Sequence, residues 1–233
     1  MKRILFCAVL ALVSAQVALA TSTPGLKLST GGTTMTVYGS GGSVNLSNLS
    51  FGGWSLKVVF GDSNSPSVDP YGIDLTSLTA DCLNANGCSD LQVWLSDVDF
   101  TQSGSTFTNS VTSNQTGTSA SLTQYAWVGL VDGMFEQGSA IPSVGSFLGT
   151  GAFAGTASAD ISAPGALGKY SLTIEEVFGG CTGTKCSSYS VDGSILDPPL
   201  PNSPTGVPEP ASLLVLGPSL VFLGAALRRR KAN

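Results

Sequence analysis

The sequence predicts an all-β protein: an antiparallel β-sandwich ectodomain, then a Pro-rich stalk and one C-terminal transmembrane helix. Three observations favour the sandwich. Apolar residues of the body alternate with polar ones at a period of two, as in half-buried strands. Gly, Ser, Thr, Asn and Asp fill the gaps between these runs and favour turns. The body has no long 3.6-residue period, so we expect no long helix there.

Residues 1–20 have the features of a secretory signal peptide. Lys2 and Arg3 supply a positive start, Ile4–Val13 is apolar, and the small residues Ala18 and Ala20 occupy the cleavage positions. We expect cleavage after Ala20 and export of the rest of the chain. An uncleaved N-terminal anchor is the alternative.

The ectodomain, residues 21–196, is long enough for one domain with a substantial core. Alternating runs with turn signals between them indicate many short strands, as in a β-sandwich. The runs are Trp54–Phe60, Leu91–Leu95, Tyr170–Ile174, and the weaker 35–37, 122–131 and 189–191.

One of these runs changes phase. After Leu95 the apolar positions slip by one residue to Val98 and Phe100, which predicts a β-bulge near Ser96 and Asp97.

The cysteines predict disulfides. Loss of the signal peptide removes Cys7 and leaves an even number of cysteines in an exported chain. Among three connectivities we expect Cys82–Cys88 and Cys181–Cys186, because each pair closes a short loop. Each bridge would remove roughly 2 kcal/mol of unfolded-state entropy. A zinc site of all four thiolates is the alternative, although its spacing is a loose fit.

Composition excludes several functions. The chain has no histidine, which rules out Ser-His-Asp and Cys-His catalysis and His-ligated zinc or haem. The ectodomain has four lysines against thirteen acidic residues, so we expect no nucleic-acid partner. Pairs of carboxylates remain the possible catalytic groups. Asp97 and Asp99 would share one face of a regular strand, whereas Glu175 and Glu176 would face oppositely. We expect a non-enzymatic protein.

Two features suggest ligand binding. Asp62, Asn64, Asp69 and Asp74 fall in one Gly/Pro/Ser-rich loop whose hard oxygens suit calcium; a solvated acidic loop is the alternative, and no other cofactor is expected. Three tryptophans could form a sugar-stacking platform: Trp54, Trp94 and Trp127. Trp94 is the most suggestive, because it lies on the otherwise polar face of its strand, whereas core packing is favoured for the other two.

The C-terminal part begins with a proline-rich linker, residues 197–206. The whole proline-rich stretch Asp197–Pro210 favours an extended stalk of roughly 40 Å. Residues 207–233 follow. Their uncharged span 211–227 is the predicted transmembrane helix. The basic tail 228–233 includes four positive residues that the positive-inside rule keeps in the cytoplasm: Arg228, Arg229, Arg230 and Lys231.

Residues 207–233 resemble the PEP-CTERM sorting signal of Gram-negative bacterial surface proteins. Pro208, Glu209 and Pro210, the apolar span and the Arg-rich end carry the likeness. It implies recognition by exosortase, a membrane transpeptidase, with a transient anchor in the inner membrane and release to the surface. A plain C-terminal anchor and a sortase signal at Leu200–Gly206 are the alternatives.

Two functions remain open. The main hypothesis is a non-enzymatic cell-surface or extracellular-matrix protein that supplies bulk, adhesion or glycan display. The alternative is a glycan-binding module, assisted by calcium or not, with extracellular polysaccharide as its partner. An exposed Trp94 beside polar groups on a concave face would favour the alternative.

Overall fold

A computed structural model describes residues 23–65, 71–84, 86–100, 105–130, 133–161, 169–180 and 187–197. These residues form strands and turns and contain no helix. The strands are β1 (Gly25–Thr30), β2 (Thr33–Tyr38), β3 (Ser43–Phe51), β4 (Trp54–Ser63), β5 (Tyr71–Cys82), β6 (Leu91–Phe100), β7 (Thr106–Thr116), β8 (Ser121–Gly129), β9 (Ser139–Leu148), β10 (Gly151–Asp160), β11 (Tyr170–Phe178) and β12 (Ser188–Asp197).

The strands form two six-stranded sheets in which every described pairing is antiparallel. Sheet A has the order β2-β1-β6-β11-β8-β9, and sheet B the order β10-β7-β12-β5-β4-β3. The chain passes from the edge of one sheet to the edge of the other twice, from β2 to β3 and from β9 to β10. The predicted all-β, sandwich-like fold is therefore confirmed.

Two hairpins depend on paired glycines. The β1–β2 turn contains Gly31 and Gly32, with φ of 53° and 81°, and the β3–β4 turn contains Gly52 and Gly53, with φ of 58° and 90°. Positive φ at both central residues is characteristic of the type I′ turn, whose twist matches that of the flanking strands.

The core lies between the sheets, where the inward side chains of all the central strands meet. Its largest members are fully buried aromatic residues from both sheets: Trp54, Phe100, Phe107, Tyr170, Phe178 and Tyr189. Burial of each large apolar side chain contributes about 1.5–3 kcal/mol, which makes this interior the main source of stability.

Two strands depart from the predicted alternation. In β4 the phase changes after Leu56: Val59 is fully buried and Phe60 is half-exposed, so the expectation that Trp54 and Phe60 share a face is wrong. The bulge predicted in β6 is present, but it lies at Val98 and Asp99, two residues later than expected. Each irregularity inserts residues that the partner strand does not match.

The structure contains the Cys82–Cys88 disulfide, with a Cα–Cα distance of 6.0 Å. Its loop packs beside β4, where the Trp54 indole N–H donates to the Ser89 carbonyl at 2.9 Å. The bond uses two of the thiolates that the alternative zinc site required, so that alternative is wrong.

Several predictions lie outside the described residues. These are the signal peptide, Cys181 and Cys186, Asp69, all of the stalk after Asp197, and residues 207–233 with the sorting motif and the apolar span. Within the described ranges, no helix has the length and apolarity needed to cross a membrane.

Candidate functional site

Three of the four predicted calcium ligands, Asp62, Asn64 and Asp74, lie at one end of the β4–β5 ladder. Asp62 and Asp74 are register partners on adjacent strands, and Asn64 lies just beyond them. Together with Ser63, Gly72, Ile73 and Leu196 they line an open groove of about 320 Å³.

The chemistry of this groove fits calcium only in part. The Asn64 side-chain oxygen accepts a hydrogen bond from the Gly72 N–H at 2.7 Å, so the loop's own backbone already uses it. Burial raises the pKa of the Asp74 carboxyl, and the charges of Asp192 and Asp62 raise it further. In the described part of the chain, no three His, Cys, Asp or Glu side chains converge as metal ligands. The groove thus brings together two carboxylates and one side-chain amide whose oxygen already accepts a backbone hydrogen bond.

The possible catalytic pairs are arranged differently. Asp97 is buried in β6, whereas Asp99 lies in the bulge with φ of 69°, is partly exposed, and pairs with Lys169. The expectation that Asp97 and Asp99 share a face is therefore wrong. Glu175 and Glu176 do face oppositely: Glu175 lies on the outer face of sheet A and Glu176 points into the interior.

Aromatic and charged side chains form a row across the outer face of sheet A. The register places Lys27 of β1 beside Trp94 of β6, Trp94 beside Glu175 of β11, and Glu175 beside Tyr125 of β8. Trp127 follows Tyr125 by two residues on β8 and therefore lies on the same face. We call these five residues the aromatic face.

The exposed part of the aromatic face is a pair of parallel rings. The ring centroids of Tyr125 and Trp127 are 5.9 Å apart, and their planes differ by 16°. Tyr125 is 39% exposed and Trp127 is half-buried. Two nearly parallel, stacked rings on one strand present apolar ring surface together with the polar groups of a phenol and an indole.

Trp94, by contrast, is covered. It is only 8% exposed, and the Lys27 ammonium lies 4.0 Å from the centroid of its ring. The same ammonium lies 4.9 Å from the centroid of the Phe135 ring. A cation between two aromatic faces is favourable for both rings. Trp94 lies on the outer face as expected, but it is not the exposed ring that would favour the glycan-binding alternative.

Phe135 is fixed over this end of the row. Its backbone N–H donates to the Ser96 hydroxyl at 2.9 Å, and its φ is 57°, a conformation that bulky residues rarely adopt. Gly25 makes room for the ring, since a Cβ on Gly25 would lie 2.9 Å from Phe135 Cζ. These contacts hold Phe135 against the sheet beside Lys27.

Glu175 is the acidic group of the aromatic face and is only 6% exposed. Burial raises the pKa of its carboxyl, while the neighbouring Trp94 N–H and the Lys27 ammonium act in the opposite direction. The buried Trp94 N–H does not meet the geometry of a hydrogen bond to any group. The Trp94 N–H and the Glu175 carboxyl thus lie side by side, next to the stacked rings.

Sequence reasoning missed Tyr125, Lys27 and Phe135. A usable signal existed for Tyr125, because Tyr125 and Trp127 stand two apart in the predicted strand 122–131. No local signal identifies Lys27 or Phe135, since their contacts with Trp94 join residues distant in sequence. Trp54 is a core residue, as expected.

No protein-family model matches the chain, and no curated protein matches it. Several solved structures are similar to it. TmCBM61 in complex with β-1,4-galactotriose is 9% identical with a TM-score of 0.32, covering 66% of this chain and 99% of that one. The carbohydrate-binding module CBM36 in complex with calcium and xylotriose is 13% identical with a TM-score of 0.25, covering 66% and 96%. The xylan-binding module CBM15 is 14% identical with a TM-score of 0.30, covering 66% and 95%. Values this low carry no argument about function.

Proposed function

We propose that the β-sandwich is a non-enzymatic glycan-binding module and that the aromatic face is its binding site. The observation that carries this proposal is the stacked, solvent-accessible pair of Tyr125 and Trp127. A pyranose ring presents apolar C–H groups on its faces, and these pack favourably against a flat aromatic surface. Binding sites typically combine such an apolar surface with a few convergent polar groups.

The polar groups beside the rings suit sugar hydroxyls. The Glu175 carboxylate, on the same outer face and in register with Tyr125, can accept from a hydroxyl. The acidic character of the ectodomain would repel polyuronates and other polyanions. We therefore expect neutral polysaccharides to bind best.

Truncation of the stacked rings tests this function. Trp127→Ala and Tyr125→Ala should each weaken binding by at least about tenfold, about 1.4 kcal/mol, because each removes half of the stacking surface. Affinity electrophoresis against a panel of neutral and acidic polysaccharides would find a ligand, and calorimetry would measure the affinities. Tyr38→Ala is the matched control, because Tyr38 is a highly exposed aromatic residue on β2, the edge strand of the same sheet.

Two results would contradict the proposal. One is a wild-type protein that binds no polysaccharide in the panel. The other is a pair of folded ring variants that bind as tightly as the Tyr38→Ala control.

A second candidate is the passive surface or matrix protein, favoured by the outer face of sheet B. There the strands β7 and β10 pair small polar residues across the ladder, with Thr108 and Ser158 at 3.1 Å and Ser110 and Thr156 at 3.4 Å. Such a hydroxyl-rich surface is well hydrated and suits O-glycan display. A passive protein would bind no polysaccharide in the panel.

Both candidates place the protein outside the cell. We infer that the PEP-CTERM-like signal directs the chain to exosortase at the inner membrane and that the processed body reaches the surface or the extracellular matrix. The support for this step is the sequence of residues 207–233 alone. Calcium in the Asp62 and Asp74 groove likewise stays a prediction.

A further inference from the structure

Glu176 is a carboxyl group enclosed between the two sheets. It lies on β11 with 0% exposure, and neither of its side-chain oxygens has a hydrogen-bond partner. Gly193 of β12 faces it from sheet B: a Cβ there would lie 2.5 Å from Glu176 Oε1. An ionised carboxylate in such surroundings is very costly, because nothing replaces the water that it has lost.

A chain of amide hydrogen bonds ends beside Glu176. Gln124 of β8 is the register partner of Glu176. Its Nε2 donates to Asn109 Oδ1 of β7 and, at 2.8 Å, to the Ser110 carbonyl. Asn109 Nδ2 in turn donates to the Pro142 carbonyl of β9 at 3.1 Å.

The two backbone carbonyls fix the direction of this chain. Carbonyl oxygens only accept, so the nitrogen of Gln124 must face Ser110 and the nitrogen of Asn109 must face Pro142. A flip of either amide would bring two acceptor oxygens together. Gln124 Oε1 is therefore the end of the chain, and it is buried without a donor.

Gln124 Oε1 and Glu176 Oε1 converge on the same space. A Cβ on Gly193 would lie 2.0 Å from the first and 2.5 Å from the second. Three buried acceptor oxygens thus lie in one region without a donor: Gln124 Oε1, Glu176 Oε1 and Glu176 Oε2. A proton on Glu176 converts one of these acceptors into the missing donor.

We propose that Glu176 is a neutral carboxylic acid in the folded protein and that its O–H donates to Gln124 Oε1. The hydrogen-bond chain then runs without a break from Glu176 through Gln124 and Asn109 to Pro142, and it links sheet A to sheet B. The bond from Glu176 to Gln124 lies within sheet A and lasts only while the proton is bound. It supports the Gln124 amide that donates across to sheet B, so the stability of the packed sheets responds to pH.

The surroundings of Glu176 favour the neutral form. Burial raises the pKa of Glu176 well above its usual value, and the negative charges of Asp192 on β12 and Asp74 on β5 raise it further. The other neighbouring strands present uncharged side chains: Val93 on β6, Gln124 on β8 and Asn109 on β7.

The direction of the pH effect follows from linkage. In the unfolded chain the carboxyl has the ordinary glutamate pKa of 4.5, whereas in the folded chain the pKa is higher. Between these two values the native state keeps a proton that the unfolded state releases. Stability is therefore full below the unfolded pKa, falls as the pH rises towards the folded pKa, and is constant above it.

Thermal unfolding of the full-length protein between pH 5 and pH 9 tests the proposal. The Tm of the wild type should fall with rising pH by about 3 °C or more beyond the fall of Glu176→Gln, since a neutral amide at this position can donate at every pH. Glu136→Gln is the matched control, because it makes the same change outside the interior and should keep the wild-type pH dependence. Equal pH dependence of wild type and Glu176→Gln would overturn the proposal.

A second measurement does not depend on a folded variant. Infrared spectroscopy of the wild type at pH 7, with ¹³C-labelled glutamate, should show the C=O stretch of a buried carboxylic acid. A spectrum with carboxylate bands alone would overturn the proposal.

Discussion

Gly193 provides the space in which the Glu176 and Gln124 side chains meet. It is a residue of a central strand, where glycine ordinarily weakens the ladder. The two side chains facing it come from neighbouring strands of the opposite sheet and carry the oxygens that converge there. The absence of a side chain at Gly193 is therefore part of the interior packing, and a larger residue there should lower the free energy of unfolding by a predictable amount.

Gly193→Ala should destabilise the protein by about 2 kcal/mol, because a new methyl group must displace both buried polar side chains. We expect the Tm to fall by about 4–8 °C. Gly133→Ala is the control, since a Cβ there makes only ordinary contacts at 3.7 Å and beyond. An unchanged Tm in Gly193→Ala would mean that the polar pair is not packed as described.

At the scale of elements, the β4–β5 ladder places like charges opposite each other. Asp62 and Asp74 are direct register partners, an arrangement that destabilises an antiparallel pair. Asp192 on β12 adds to the repulsion. The folded pKa of Asp74 lies above its usual 3.8, so the repulsion grows as the pH rises through that range and is absent in acid.

Asp74→Asn should therefore raise the Tm at pH 7 in the absence of calcium, by about 1–2 °C for a partly exposed group. The same change should leave the Tm at pH 3 unaltered. The calcium hypothesis adds a second expectation: millimolar calcium should raise the wild-type Tm and have less effect on Asp74→Asn. Identical wild-type melting curves in calcium and in chelator would leave the groove as a solvated acidic loop.

The strands show what a sequence can and cannot predict. Alternation identified β4, β6 and β11 because each has one face in the core. It failed inside β4, where a change of register moves Val59 into the core and Phe60 out of it. Bulges depend on how a partner strand is aligned, and the partner is not known from local sequence.

The aromatic face shows the same limit. A strand pattern predicts that Trp94 lies on the outer face but not that Lys27 and Phe135 cover it. The exposure of Trp94 depends on which strands become its neighbours and on where the segment with Phe135 packs. Trp127 was expected in the core. It lies instead beside Tyr125 on the outer face of β8, and that face of the strand is turned to solvent.

At the scale of the whole molecule, the described β-sandwich precedes a stalk and a sorting signal that we infer from sequence. The signal predicts a temporary anchor. From the sequence we expect Pro208 and Pro210 to keep the segment around Glu209 out of both helix and β-ladder, which would leave its backbone extended and accessible to an enzyme at the membrane surface.

In the native host, a double variant with Glu209→Ala and Pro210→Ala should accumulate as a longer, membrane-retained form. Intact mass measurement of cell-surface and membrane fractions would detect it. Pro198→Ala with Pro199→Ala is the control, because it alters the stalk and leaves the motif intact. Recovery of the wild-type protein outside the cell with Arg228 to Asn233 still attached would show that the tail is not processed.

The position of β12 in sheet B has a mechanical consequence. This strand ends at Asp197 and is hydrogen-bonded on both sides, to β5 and to β7. A pull on the following segment along the strand axis would load both ladders in shear, so that many hydrogen bonds resist together. An edge strand peeled from its single neighbour would instead lose its bonds one at a time. A protein held by its C-terminal side in flowing water would thus bear the force on one of its best-supported strands.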